Sequence, residues 1–156
     1  MTPRWTIGPL QPERAAELFA ASEASMEAIY PEESNHFVGP EAFTAPGSLL
    51  LGAFDGKSAV GCVGWVMTSP FEAEVKRLFV DENHRSIGLG RALMDALHAR
   101  AEGLGITVLR LETGIHQTAS IGLYRSLGYI ERRPFGHYAN DPLSLFMERR
   151  IQATAS

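Results

Sequence analysis

The stretch VKRLFVDENHRSIGLGRAL, residues 75–93, constrains this chain more than any other. Apolar, strand-forming Leu78, Phe79 and Val80 lead through a polar loop, Asp81 to Gly88, into Arg85-Ser86-Ile87-Gly88-Leu89-Gly90. From there Leu89, Leu93, Leu97, Ala101 and Leu104 recur at helical spacing, with Gly103 and Gly105 marking the helix end. Glycines at 88 and 90 lack Cβ atoms, so the backbone curls tightly and approaches a ligand. The first N–H groups of a helix have no partner within it, and a strand, a glycine loop and a helix start therefore form an anion site suited to a pyrophosphate. Arg85 adds a forked positive charge that matches phosphate oxygens. A dinucleotide fingerprint requires glycine where Leu93 stands, and a P-loop requires a Gly-Lys-Ser/Thr ending that is absent, so NAD and ATP are disfavoured.

The remaining elements alternate around this unit. Arg4 to Gly8 reads as a short strand. Pro12 suits the start of a helix, along which Ala15, Leu18, Phe19, Ser22, Met26 and Ile29 form one face. Tyr30 to Pro46, broken by Pro31, Gly39 and Pro40, is a long irregular connection with room for one helical turn. Ser48 to Phe54 and Ser58 to Met67 form a hairpin turning at Asp55-Gly56, and Glu72 to Val80 is a third antiparallel strand. Val108 to Glu112, Ser120 to Leu127, Tyr129 to Arg132 and Leu143 to Arg149 read as strand, helix, strand and strand. At 156 residues the expectation is a single domain, 1–156, of α/β (α+β) class, with a mixed central sheet flanked by helices.

Composition excludes several functions. A net charge of -4 offers no general attraction to a phosphate backbone, so nucleic acid is an unfavoured partner. The single cysteine, Cys62, sits in an apolar run and reads as a small buried residue, which leaves no intrachain disulfide or cysteine metal cluster. The five histidines lack metal-ligand spacing, so no metal is expected. No signal peptide or membrane span is visible, and the expected setting is the reducing cytoplasm.

Arg-x-x-Gly-x-Gly after an apolar strand and before an amphipathic helix resembles the coenzyme A signature of the GNAT acetyltransferase superfamily. HQTASIGLYRSLGY, residues 116–129, resembles that family's Asn-x-x-Ala-x-x-Leu-Tyr-x-x-x-Gly-Phe segment, with Gln117, Ser120 and Tyr129 replacing the usual Asn, Ala and Phe. The resemblance covers the chain from its first helix to its last strand. It implies a GNAT-like fold and acetyl-CoA as co-substrate. By the resemblance, the pyrophosphate falls to Arg85, Ser86, Ile87, Gly88, Leu89, Gly90 and Arg91, and the pantetheine arm to Leu78, Phe79 and Val80, with further contacts from Gln117 and Tyr124. It also allows a homodimer.

The implied reaction is transfer of the acetyl group to a primary amine, of a small molecule in the first instance or of a peptide; a non-catalytic acyl-CoA-binding module is the alternative. An alkylammonium with a pKa of about 10.4 must lose a proton before it attacks, and the departing thiolate must gain one. Tyr124 takes the acid role by resemblance. Glu74, on the same strand as the pantetheine contact, is the candidate base, with Glu112, at the end of the next strand, as the second option. The Phe79 N–H is the candidate donor to the developing oxyanion. Two segments, residues 30–37 and 135–144, fall where the superfamily places its acceptor-binding loops. In and around them Glu32 and Glu33 suit a cationic amine, Arg77, Arg133 and His137 suit a carboxylate, and His36, Glu112 and Tyr138 complete the expected acceptor set.

Overall fold

A computed structural model describes residues 5–152. In chain order these form β1 (Thr6–Pro9), a 3-10 turn (Pro12–Arg14), α1 (Ala16–Glu27), two further turns (Glu32–Ser34 and Pro40–Thr44), β2 (Leu49–Asp55), β3 (Ser58–Ser69) and β4 (Glu72–Val80). After a short turn come α2 (Leu89–Leu104), β5 (Val108–Gly114), α3 (Thr118–Ser126), β6 (Ile130–Arg132) and β7 (Ser144–Arg150). The strands make one sheet in the order β1-β2-β3-β4-β5-β7-β6, parallel only between β4 and β5. The mixed sheet with helices on both faces is the architecture expected from the sequence.

Local chemistry moves several boundaries. Arg4 lies outside the described residues, and β1 begins at Thr6. Pro12 opens a separate 3-10 turn rather than α1 itself. Because α1 ends at Glu27, Ile29 falls off its buried face and is exposed. The hairpin turns on Gly56, which alone of its two-residue loop has positive φ, as a type II′ turn requires. Gly103 lies within α2; the helix stops at Gly105, whose φ of 75° ends it in a left-handed cap.

The sheet divides the interior in two. Beneath α2, Leu89, Leu93, Met94, Leu97 and Ala101 pack on Val63, Trp65, Val75, Leu109, Leu111 and Tyr124, with Leu78 and Val80 at the margin. On the opposite face Leu18 and Phe19 of α1 pack with Phe43, Leu50 and Cys62, and Phe79 and Val66 join them. Side chains therefore alternate across β4, with Val75 and Leu78 on the α2 face and Phe79 on the α1 face.

Two irregularities of β4 shape the site. Its pairing with β5 lasts only from Glu72↔Val108 through Glu74↔Arg110. Beyond that β4 stays with β3 while β5 stays with β7 as far as Gly114↔Ser144, so a wedge opens between them. Within that wedge β4 carries a bulge: Cys62 faces Phe79 and Gly64 faces Lys76, which leaves Arg77 and Leu78 opposite Val63 alone. A bulge of this kind sharpens the local twist and turns the strand away from its former neighbour.

A buried histidine on α2, His98, gives the fold a pH dependence. Arg149 Nη1 donates to His98 Nδ1 at 2.7 Å, so Nε2 carries the ring proton and donates to the Tyr129 hydroxyl at 2.8 Å. Burial, reinforced by the Arg149 charge, lowers the His98 pKa from 6.5 to about 4. Between those values the unfolded chain binds a proton that the folded chain does not. Stability is therefore full above about pH 6.5 and falls as the pH drops toward about 4. Thermal unfolding across that window should show the loss, and His98→Gln should flatten it.

Candidate active site

The wedge between β4 and β5 is the floor of a cleft of about 680 Å³, lined by both strands, by the loop 84–91 and by α3. Its mouth is the glycine loop. Ser86 has φ 64° and Gly88 φ 87°, so the chain runs through two left-handed residues before α2 begins at Leu89. Such a sequence of conformations points successive N–H groups into one concavity, and the helix dipole adds to it. A Cβ on Gly88 would meet no atom within 4 Å, so the glycine serves the backbone angle; one on Gly90 would meet Leu123 at 3.4 Å, which limits what fits between α2 and α3. Ser86 carries the cost of a left-handed non-glycine residue, about 1–2 kcal/mol.

Cations surround this mouth. Arg85 folds back so that its Nε donates to Val80 O at 2.9 Å and its guanidinium lies over the Phe79 ring, leaving its remaining donors to the cleft. Arg91, which lines the cleft, donates to the Ser126 hydroxyl at the end of α3. His84 bridges Asp81 and Asp55, and hydrogen bonds to these two carboxylates raise its pKa. Left-handed Ser86 and Gly88, the start of α2 and an arginine thus come together at this mouth, a combination suited to an anion.

The edge of β4 facing the cleft is set by alternation. Asp81 N–H donates to Val60 O, so this pair is hydrogen-bonded across β3 and β4. In the register that follows, Gly61↔Val80 is an open pair and Cys62↔Phe79 a bonded one. A Cβ on Gly61 would lie 3.1 Å from Phe79 O, which places that carbonyl on the β3 side. The Phe79 N–H therefore belongs to the sheet, and its expected role as oxyanion donor is corrected. The amides of its neighbours Leu78 and Val80 turn toward the wedge instead, in keeping with the Arg85 contact to Val80 O.

Deeper in the cleft, Tyr124 and Glu112 approach the wedge from opposite faces. Tyr124 comes from α3 on the α2 face, its ring edge-on to Tyr129. Burial, then the charge of Glu112, raises its pKa, so the phenol keeps its proton. Glu112 pairs with Phe146 on β7 and accepts from the Ser144 hydroxyl at 2.8 Å. Burial raises its pKa too, against lowering by Ser144, His36 and Lys76. A carboxylate held above its ordinary range and a phenol held neutral suit proton acceptance and donation, respectively.

Glu74 is otherwise engaged. Its carboxylate accepts from the Tyr138 hydroxyl at 2.5 Å and pairs with Lys76 Nζ at 3.0 Å, and it borders a second cleft of about 600 Å³ rather than the one holding Tyr124. This occupied carboxylate does not suit the expected role of base. Lys76, the partner of Glu74, is part of the wall of both clefts. Its position two residues along the strand from Glu74 was the available signal.

The segment 30–38 straps the α1 face. Tyr30 Oη accepts from the His116 N–H, and its ring fills the space a Cβ on Gly114 would need. Ser34 donates to Asp141 at 2.7 Å, and His36 stands edge-on to Tyr138 at 5.1 Å. The two segments expected to hold the acceptor thus meet, with His36, Glu112 and Tyr138 at the junction. Other acceptor expectations are corrected: Glu32 and Glu33 are exposed on a 3-10 turn outside both clefts, and Arg133 is exposed outside them, whereas His137, though exposed, lines the second cleft. Arg77 lines the cleft, but its guanidinium is committed to Val38 O and Glu23. Gln117 lines the cleft at the start of α3. Among the described residues no group of His, Cys, Asp and Glu is arranged to hold a metal, and no helix is long and apolar enough to cross a membrane.

Residues 14–129 match the sequence profile of the Acetyltransferase (GNAT) family. An IAA acetyltransferase of Azospirillum brasilense is 37% identical over 144 residues, covering 92% of this chain and 94% of the relative. A Klebsiella pneumoniae protein solved as a candidate acyl-CoA N-acyltransferase superposes with a TM-score of 0.79 at 36% identity, covering 94% of this chain and 97% of that one. The PaiA N-acetyltransferase of Thermoplasma acidophilum, solved in complex with coenzyme A, shares the fold at a TM-score of 0.72 and 18% identity, covering 96% and 99%.

The glycine loop makes a direct prediction. Arg85→Ala should weaken acetyl-CoA binding about tenfold, roughly 1.4 kcal/mol, with less effect on the ligand-free melting temperature, as read by calorimetric titration and thermal unfolding. Unchanged affinity would place the diphosphate elsewhere.

Proposed function

The chain belongs to the GNAT acetyltransferase family, an acyltransferase that uses acetyl-CoA, and from that premise we propose that it acetylates the primary amine of a small molecule by direct attack across the β4–β5 wedge. Acetyl-CoA supplies an acyl group activated as a thioester. The observation that carries the reading is the placement of Glu112 and Tyr124 in one cleft, on opposite faces of the opening between the strands.

In this reading the amides of residues 86–91 and the Arg85 guanidinium hold the diphosphate, while Leu78 and Val80 pair with the pantetheine arm as a further strand would. Glu112 takes a proton from the ammonium, directly or through one water, on the α1 face. Leu78 N–H donates to the thioester oxygen as negative charge develops there. Tyr124 gives its proton to the sulfur on the α2 face as the C–S bond breaks and coenzyme A leaves as the thiol. The second proton of the attacking nitrogen returns to the Tyr124 phenolate and Glu112 releases the first to solvent, so both groups end as they began. Direct attack requires no covalent enzyme intermediate.

The charge on the α1 face supports a cationic acceptor. Glu74 and Glu112 flank a single Lys76 beside the strap, a local excess of negative charge. His36, Phe37 and Tyr138 wall the approach, which suits a small molecule better than an extended peptide.

Thiol release measured over a panel of amines, with IAA included because of the Azospirillum relative, tests the proposal. An amine is expected to turn over. With it, Glu112→Gln should lower kcat/KM by about 10²–10³-fold, and Tyr124→Phe should lower kcat by about a hundredfold. The wild-type rate should fall as the pH drops through a value above the ordinary carboxylate range, because only ionised Glu112 accepts a proton, and Glu112→Gln should lose that limb. Full turnover by either variant would remove that residue from its role. Turnover of IAA with no amine accepted would overturn the amine.

A further inference from the structure

We infer that Arg77 is a positioning residue that couples the strap over the acceptor to the backbone amide opposing the thioester oxygen; the inference rests on the reaction proposed above. Arg77 is the first residue of the β4 bulge and immediately precedes Leu78. Its φ of 66° makes it one of two described non-glycine residues in the left-handed region, and the other, Ser86, lies in the pyrophosphate loop. An arginine has no intrinsic preference for that conformation, so its surroundings must impose it.

The side chain shows how. The guanidinium is 5% exposed, and its Nε and Nη2 both donate to Val38 O, at 2.9 and 2.6 Å. Nη2 also pairs with Glu23 of α1 at 2.9 Å. Its plane lies 4.3 Å from the Phe19 ring centroid and 5.2 Å from that of Phe37. On the main chain, the Cys62 thiol donates to Arg77 O at 3.2 Å. One residue thus joins the bulge, α1 and the end of the strap.

The joint is incompletely satisfied. Arg77 Nη1 is buried and has no hydrogen-bond partner, the only such side-chain atom found among the described residues. A buried donor left unpaired is costly, so this arrangement persists for something other than stability. Val38 and the strap residues before it, Phe37 among them, line the same cleft as Leu78. A shift of the strap on acceptor binding therefore moves the acceptor of two Arg77 hydrogen bonds, and through Arg77 the direction of the Leu78 N–H.

Three variants separate the side chain from the bulge. Arg77→Gly accepts the positive φ without strain and deletes the joint; Arg77→Lys keeps the charge beside Glu23 but loses the fork; Glu23→Gln weakens only the α1 arm. With the amine found above, Arg77→Gly should lower kcat at least about tenfold and raise the acceptor KM, while the acetyl-CoA KM stays within about twofold. Arg77→Lys should recover the melting temperature but not kcat, and Glu23→Gln should fall between. A readout independent of turnover uses Cys62, the chain's single cysteine, which is fully buried. In ligand-free protein, iodoacetamide should alkylate it faster in Arg77→Gly than in Arg77→Lys. Wild-type kcat and labelling in Arg77→Gly would show that the bulge holds itself and overturn the inference. Equal loss of kcat and acetyl-CoA binding would overturn it as well, by reducing Arg77 to a folding role. If no amine turns over at all, the proposed reaction fails by itself, and the labelling still decides whether Arg77 holds the bulge.

Discussion

Three residue pairs hold β4 to β5, and the site is built on the backbone freed beyond them. Strand edges left unpaired inside a protein must find partners or stay solvated, because buried amides without partners are costly. Here the exposed edge of β4 borders a cleft rather than another strand. It offers the Leu78 and Val80 amides to an extended ligand while Phe79 keeps its place in the sheet. The bulge at Arg77 and Leu78 maintains the divergence by turning β4 away from β5.

The opening in the sheet connects two chemically different faces. Under α2 the surroundings are apolar and keep the Tyr124 phenol neutral. Under α1 and the strap lie the carboxylates, Lys76 and His36, with the Glu74 charge already matched by Lys76 and Tyr138 and the Glu112 charge raised in pKa by burial. A reaction that takes a proton on one side and gives one on the other gains from this separation, since the two groups titrate in opposed environments. In the proposed reading the glycine loop, at the wide end of the wedge, holds the diphosphate and so sets how far the pantetheine arm extends toward that opening.

Much of this was legible in the sequence, for physical reasons. The glycine loop, the α2 face and the hairpin declared themselves because angle-demanding glycines and 3.6-residue periodicity act locally. The phenol of Tyr124 was found through its motif. What escaped were features decided by tertiary register. Nothing local to VKRLFV tells which amides face β3; that depends on the Asp81 to Val60 bond and the bulge. Glu74 stood ahead of Glu112 as the base until Lys76 and Tyr138 were seen to occupy it. Arg77 read as a carboxylate binder because its burial against Phe19 and Phe37 comes from α1 and the strap, far away in sequence. Charges on the strap misled in the other direction: Glu32 and Glu33 lie on an exposed turn, and the neighbouring His36 meets Tyr138.

Amide hydrogen exchange resolved to single residues, with and without acetyl-CoA, addresses the central claim most directly. Exchange reports which amides are already paired and which gain a partner. The account predicts that Phe79 is protected in the free protein and unchanged by the ligand, while Leu78, Val80 and residues 86–91 gain protection together. Rapid exchange at Phe79 in the free protein, or acetyl-CoA binding that leaves Leu78 and Val80 unaltered, would contradict it.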